Sequence, residues 1–277
     1  MNVRLLAIAM LGIPAAGWAQ NTNLLCTESN PAVRLELQEA DDRILQVDGA
    51  ARDQTVEMLA KELIGRYPDD FIVHIRYQQW IRGMRGPAAL IESYQSLAAA
   101  HPGIPMFTVL YAQALRGTHA PQAIELLKSV APGPLDPWVH LTLAELYSSG
   151  RSADLPEART QLDAWFAACP TTLNWNALSS LVSYGSPATV AKEAAVLRAK
   201  LESETEPHLL LSWRFVWDME FKARPAAGRA ALRQQIALDV ARLETMPVPN
   251  DKRWPELLAT GHKLAGDLEH PHYAENR

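Results

Sequence analysis

Residues 137–170 read PWVHLTLAELYSSGRSADLPEARTQLDAWFAACP. Apolar residues recur there at helical spacing on both sides of Gly150. They are Leu143, Ala144 and Tyr147 before the glycine and Ala158, Leu162 and Trp165 after it. The pattern predicts two amphipathic helices joined by a turn. Proline stands at both ends of the stretch, where it cannot continue the preceding helix but is tolerated in the first turn of the next, so the stretch forms one unit.

Prolines recur along the chain at a nearly constant interval. They are Pro68, Pro102, Pro137, Pro170 and Pro207, and the steps between them are 34, 35, 33 and 37 residues. Each interval holds two amphipathic patterns, which is typical of stacked helix–turn–helix repeats. Sustained alternation of apolar and polar residues is absent, so the sequence predicts an all-α fold. An ordinary helical bundle would not explain the constant interval.

The repeat pattern divides the chain into four predicted parts. Residues 1–19 form a signal peptide, and residues 20–50 form an N-terminal segment with a weak first helix. Residues 51–246 form the helical repeats, and residues 247–277 form a capping helix and a tail. Atypical end repeats are expected, because each turns one face to water.

The first residues have the features of a secretory leader. Arg4 precedes an apolar run at 5–13, and small residues occupy positions 17 and 19, so we predict cleavage before Gln20. An uncleaved anchor is the alternative, but the run is shorter than the roughly 20 apolar residues that span a bilayer. Cys26 has no small residue directly before it, which argues against lipidation. We therefore expect a periplasmic or secreted protein that is not inserted in the membrane after cleavage.

The composition excludes some classes of partner. The formal net charge is −5 and is spread along the chain, whereas nucleic-acid binding requires clustered lysine and arginine. We therefore expect no nucleic acid as partner. The hydrophobic content of 48% is sufficient for a folded core.

The two cysteines, Cys26 and Cys169, have two interpretations. In an oxidising compartment they could form a disulfide. Sequence alone gives no distance between them, and we favour two separate thiols, with Cys169 filling a helix interface. Neither lies in a Cys-x-x-Cys motif, so no dithiol redox site is expected.

The unit at 137–170 resembles the tetratricopeptide repeat (TPR). Leu143-Ala144 stands where the family has Leu-Gly, and the tyrosine, alanine, large apolar and proline positions are matched by Tyr147, Ala158, Leu162 and Pro170. The phrases at 66–71, 135–141, 144–147 and 169–170 resemble the helical N-terminal regions of secreted bacterial TlpA-like thioredoxin-fold proteins.

This resemblance implies a right-handed superhelix, an α-solenoid, of five to six helix pairs. It implies protein–protein interaction, with a peptide or protein partner held in the concave groove. The alternative is a helical accessory arm of a periplasmic thiol–disulfide system. Because the sequence lacks Cys-x-x-Cys, the redox chemistry of those relatives is not carried over.

No pattern in the sequence indicates catalysis. His-Glu-x-x-His, a glycine-rich phosphate loop and Gly-x-Ser-x-Gly are absent. The polar cluster at 269–273, Glu-His-Pro-His-Tyr, has too few ligands for a zinc site and is interpreted as a tail. Of the acid pairs Asp41-Asp42 and Asp69-Asp70, the second suits the start of a helix. We expect a protein without enzyme activity, cofactor or metal.

The tryptophans on first helices have a packing and a binding interpretation. They are Trp80, Trp138, Trp175, Trp213 and Trp217, and packing is favoured because they share the apolar faces. First helices line the concave face of a TPR superhelix, where residues not needed for packing can hold a peptide. By their position in the repeat, the predicted groove residues are Gln79, Arg82, Thr108, Arg116, Glu145 and Ser148.

Overall fold

A computed structural model describes residues 26, 31–149, 153–170, 173–247, 251 and 253–266. These residues form α-helices joined by short loops, and no β-strand occurs among them. The all-α prediction is confirmed. The predicted signal peptide at 1–19 and the polar cluster at 269–273 lie outside the described residues.

The helices follow one another closely. In chain order they are α1 (Pro31–Leu45), α2 (Gly49–Arg66), α3 (Phe71–Arg85), α4 (Pro87–Ala100), α5 (Pro105–Leu115), α6 (Ala120–Lys128), α7 (Asp136–Ser148), α8 (Leu155–Ala168), α9 (Trp175–Tyr184), α10 (Pro187–Glu202), α11 (Pro207–Leu210), α12 (Trp213–Ala223), α13 (Arg229–Glu244) and α14 (Arg253–Ala265). A 3₁₀ turn at Ala226–Gly228 precedes α13. None of these helices is long and apolar enough to cross a membrane.

Three helices end in the same backbone conformation. The residues that end α2, α4 and α8 are Tyr67, His101 and Cys169, with φ between −124° and −129° and ψ between 58° and 60°. Each donates its backbone N–H to the carbonyl four residues earlier. A proline follows each of them, and the residue before proline is pushed out of the helical conformation. These prolines lie in the connecting loops; Pro137 and Pro207 lie in the first turn of the next helix.

Polar side chains begin several helices. The Asp70 carboxylate accepts the backbone N–H groups of Ile72 and Val73, at 2.9 and 3.1 Å, and caps α3. The Asn174 amide oxygen caps α9 in the same way. Such caps satisfy donors that have no partner inside the helix. The prediction that the second acid pair begins a helix is therefore confirmed.

Alternate helices form one continuous row of contacts. The row runs α1, α3, α5, α7, α9, α12 and α14, each in contact with the next. The intervening helices α2, α4, α6, α8, α10 and α13 each pack against the row helix before and the row helix after them. Polar side chains that face away from the intervening helices are therefore presented on one side of the row.

The tryptophans on the row contribute to packing, which is the interpretation that the sequence favoured. Trp138, Trp213 and Trp217 are buried, and the Trp138 ring meets Trp165 of α8 edge to face with centroids 5.5 Å apart. Trp80 and Trp175 are half-buried.

A disulfide joins Cys26 to Cys169, with their Cα atoms 5.1 Å apart. The interpretation of two separate thiols is wrong. Cys26 precedes α1, and Cys169 directly follows α8. Only the three-dimensional arrangement of the helices brings these two points together, and sequence separation carries no information about it.

Candidate binding cavity

Two adjoining cavities lie along the row of helices, and the larger of the two has a volume of about 290 Å³. Five helices of the row, α1, α3, α7, α9 and α14, contribute to its lining. Helices from both ends of the row therefore meet around one space. Its apolar part is formed by Leu37, Ile72, Ile75 and Trp138. This volume is close to the lower end of the range for ligand sites, about 300 Å³.

Three arginines from three different helices line this cavity. They are Arg34 on α1, Arg76 on α3 and Arg253 on α14. The Arg76 guanidinium pairs with Asp41 at 3.0 Å, and both side chains are about one-third exposed. For the exposed Arg34 side chain, the described part of the chain supplies no hydrogen-bond or ion-pair partner.

Arg253 is held from two sides. Its guanidinium donates to both carboxylate oxygens of Asp251, at 3.0 and 2.7 Å, and lies over the Trp175 ring at 5.2 Å. The hydrogen bonds to Asp251 raise the pKa of Arg253 above its ordinary value, and the charges of Asp41 and Asp42 add to this effect against the opposing effect of burial. Acidic residues of α1 thus favour the charged form of Arg253 on α14.

Asp41 is the acidic group of the cavity lining, and its position is fixed. Besides the ion pair with Arg76, its carboxylate accepts the indole N–H of Trp80 at 2.8 Å. Uncharged polar groups of the lining are Gln38, Gln79, Asn174 and Asn176. Arginine and amide side chains in this arrangement can bind the oxygen atoms of a ligand by several convergent hydrogen bonds.

A second cavity of about 60 Å³ adjoins the first. The two share four lining residues, Ile75, Gln79, Trp138 and Asn176. The second adds the charged groups Arg82, Arg116 and Glu145. The two cavities therefore adjoin each other along the row of helices.

The structure brings together four of the six predicted groove residues. Gln79 lines both cavities, and Arg82, Arg116 and Glu145 line the smaller one. Thr108 and Ser148 line neither of these cavities. The Ser148 hydroxyl donates to the Glu145 carbonyl of its own helix.

Two of these four residues link helices of the row. The Arg82 guanidinium donates to the carbonyls of Gln113, Ala114 and Arg116 at 3.0 to 3.2 Å, where the last carbonyls of α5 lack partners in the helix. Arg116 pairs with Glu145 of α7. Arg82 and Arg116 therefore connect α3, α5 and α7, and this role uses much of their hydrogen-bonding capacity.

The positive charges of the smaller cavity influence one another. Burial lowers the pKa of Arg82 and that of Arg116, and the charge of Arg82 lowers the pKa of Arg116 further. Both guanidinium groups remain charged at neutral pH, because arginine titrates far above it.

The sequence pattern did not identify Arg34, Asp41, Arg76 and Arg253 as cavity residues, and for Trp175 it favoured packing over binding. Arg76 could have been predicted from the sequence, because it precedes Gln79 by three residues on α3 and such residues share a helix face. No local signal relates Arg253 to α1, since the two come from opposite ends of the described chain.

The described residues contain no group of three or more His, Cys, Asp or Glu side chains that could hold a metal ion. Both cysteines of the chain are in the disulfide, so neither is a free thiol. Comparisons with models of protein families, with curated proteins and with solved structures give no match for this chain.

Proposed function

We propose that this chain is an extracytoplasmic, TPR-like scaffold that binds a peptide or protein partner. The observation that carries the proposal is the pair of adjoining polar cavities built by alternate helices of one row. Four of the residues predicted to face a concave groove line them. The guanidinium, amide and indole groups of this lining would bind a partner through non-covalent contacts.

The contacts between helices support a curved array. Because α1 and α14 line the same cavity, the row that joins them bends back toward its own start. This bend agrees with the proposed right-handed superhelix of five to six helix pairs, because a small rotation between neighbouring repeats gives such arrays a concave surface. Side chains on packed helices are held in place before binding, which reduces the entropy lost when a partner binds.

The disulfide supports a location outside the cytoplasm. Disulfides form and persist in oxidising compartments such as the bacterial periplasm, and thiols stay reduced in the cytosol. The pairing of Cys26 with Cys169 agrees with the secretory leader predicted at 1–19.

The test is affinity capture from an extract of extracytoplasmic proteins, followed by mass spectrometry. Gln79 is exposed and lines both cavities, so Gln79→Trp places a bulky side chain in the shared space. The matched control is Gln234→Trp, because Gln234 is an exposed glutamine on α13 that lines neither of the two cavities.

We expect one or a few proteins to be retained by the wild type and by Gln234→Trp and to be lost with Gln79→Trp. Circular dichroism of the three proteins shows whether the helices are intact. Retention of the same proteins by all three chains, or of none by the wild type, would contradict binding in these cavities.

A further inference from the structure

The charge of the interior is opposite in sign to the charge of the chain. Five arginines, Arg34, Arg76, Arg82, Arg116 and Arg253, line the two cavities, against the carboxylates Asp41 and Glu145 in the lining and Asp251, which pairs with Arg253. The whole chain has a formal net charge of −5. Clefts lined by one sign of charge attract ligands of the other sign. A cationic ligand is therefore disfavoured in this interior.

Two arginines of the larger cavity already bind carboxylate groups of the chain itself. Arg253 holds the Asp251 carboxylate through two hydrogen bonds, and Arg76 holds that of Asp41. Arg34 faces the same space without a hydrogen-bond or ion-pair partner among the described residues. A guanidinium group matches the planar carboxylate with two parallel hydrogen bonds.

An aromatic ligand has less to gain here than a charged one. The Trp175 ring of the lining is covered by Arg253 and also contacts Phe215, edge to face at 5.4 Å. Trp138 is buried against Phe71 and Trp165. The exposed groups of the lining are polar or positively charged.

We infer that the larger cavity binds its ligand through carboxylate groups, with Arg34 as the first anchor and Arg76 as the second. This inference rests on the proposed function. It describes the bound segment of the partner as acidic, with glutamate or aspartate side chains entering the cavity. Amide groups of Gln38, Gln79 and Asn176 lie beside the arginines and can donate to the same carboxylates.

The test uses isothermal titration of the full oxidised chain with four probes. Two are end-blocked peptides of about six residues, one alternating serine with glutamate and the other serine with glutamine. The remaining two are citrate, which carries carboxylates without a peptide, and inorganic phosphate. The glutamate peptide should bind at least about tenfold more tightly than the glutamine peptide, and added salt should weaken its binding.

Three variants locate the site. Arg34→Gln should weaken binding of the glutamate peptide about tenfold, the usual effect of losing a hydrogen bond to a charged group. Arg52→Gln is the matched control, because Arg52 is an exposed arginine on α2 that lines neither of the two cavities. It should bind as the wild type does.

Asp41→Asn should strengthen binding several-fold. It removes the acidic group of the larger cavity and leaves Arg76 to the ligand, while the amide oxygen can still accept the Trp80 indole N–H. A merely structural role of Asp41 predicts weaker or unchanged binding, so this variant separates the two.

Equal binding of the two peptides, or equal effects of Arg34→Gln and Arg52→Gln, would overturn the inference and leave the proposed scaffold function standing. Binding of phosphate without either carboxylate probe would also overturn it, as would no binding of any probe. Citrate binding that depends on Arg34, without peptide binding, would support the carboxylate site and contradict the peptide partner.

Discussion

The Arg198 guanidinium on α10 donates two hydrogen bonds to the Asp239 carboxylate on α13, each 2.9 Å long. Two more go to Glu220 on α12, at 2.8 and 2.7 Å. Asp239 also accepts the indole N–H of Trp217 at 3.0 Å. All three charged side chains are at most 15% exposed. One arginine therefore joins three helices at the C-terminal side of the row.

Replacing this arginine is expected to destabilise the fold strongly. Arg198→Met leaves Glu220 and Asp239 buried without their counter-charge, which typically costs about 3–5 kcal/mol. Urea unfolding followed by circular dichroism gives the change in free energy. The control is Arg214→Met, because Arg214 is 64% exposed and its distance to Asp218 is 4.0 Å, so less than about 1 kcal/mol is at stake. Similar losses in the two variants would show that the network contributes little.

His74 makes stability depend on pH. Its side chain is buried between Pro68 and Tyr94, with Nε2 2.9 Å from the Pro68 carbonyl and Nδ1 3.1 Å from the tyrosine hydroxyl. A neutral imidazole satisfies both contacts. Burial lowers the pKa of His74 below its ordinary value, although the bond to Pro68 and nearby acids oppose the shift. As the pH falls, His74 is therefore protonated in the unfolded chain at a higher pH than in the folded protein.

The stability that His74 contributes is fully present above the unfolded pKa of about 6.5 and is lost as the pH falls from there toward the lower pKa of the folded state. Unfolding free energies measured from about pH 8 to about pH 5 should fall more steeply for the wild type than for His74→Gln. His119→Gln removes an exposed histidine and should retain the wild-type slope. An identical slope for wild type and His74→Gln would contradict this role.

The disulfide is expected to stabilise the fold by about 2–5 kcal/mol, because closing a loop between Cys26 and Cys169, 143 positions apart, restricts the unfolded chain. Urea unfolding with and without a reductant measures this. The double variant Cys26→Ala/Cys169→Ala should be as unstable as the reduced protein and insensitive to reductant. A wild type that is equally stable in both conditions would contradict the expectation.

Two glycines in helices should respond to alanine in opposite ways. A Cβ on Gly261 would lie 2.3 Å from Val240 Cγ2 and 2.8 Å from the Trp217 ring, so Gly261→Ala should cost about 1–3 kcal/mol. Gly83 in α3 has nothing within 4 Å of such a Cβ, and Gly83→Ala should stabilise by about 0.5–1 kcal/mol. Melting temperatures that change in the same direction would contradict this assignment.

Local patterns predicted most of the helical organisation. Residues before the prolines of the repeat end α2, α4 and α8 in one conformation, because proline acts on its immediate neighbour. Gly83 does not end its helix: α3 continues to Arg85, and the break occurs at Gly86 with φ of 74°. A glycine is tolerated in a helix when the packing on both sides of it continues.

A residue of the candidate site could be predicted only where its position on a single helix determines whether it lines the cavity. Gln79 was predicted from its place on α3, and it lines both cavities. Arg82 has the same periodicity, but its guanidinium donates to backbone carbonyls at the end of α5. Arg34 on α1 and Arg253 on α14 line the same cavity because of the path that the whole row of helices takes. The periodicity of apolar residues does not encode that path.

The disulfide gives the two ends of the chain different mechanical freedom. An array of stacked helices, in which each unit contacts its neighbours, can unravel from either end. The bond between Cys26 and Cys169 encloses α1 to α8 in a covalent ring, and α9 to α14 lie outside it. We therefore expect unravelling of the oxidised chain to start from α14, which carries Arg253. The first step of unfolding would open the larger cavity while the helices inside the ring are still stacked.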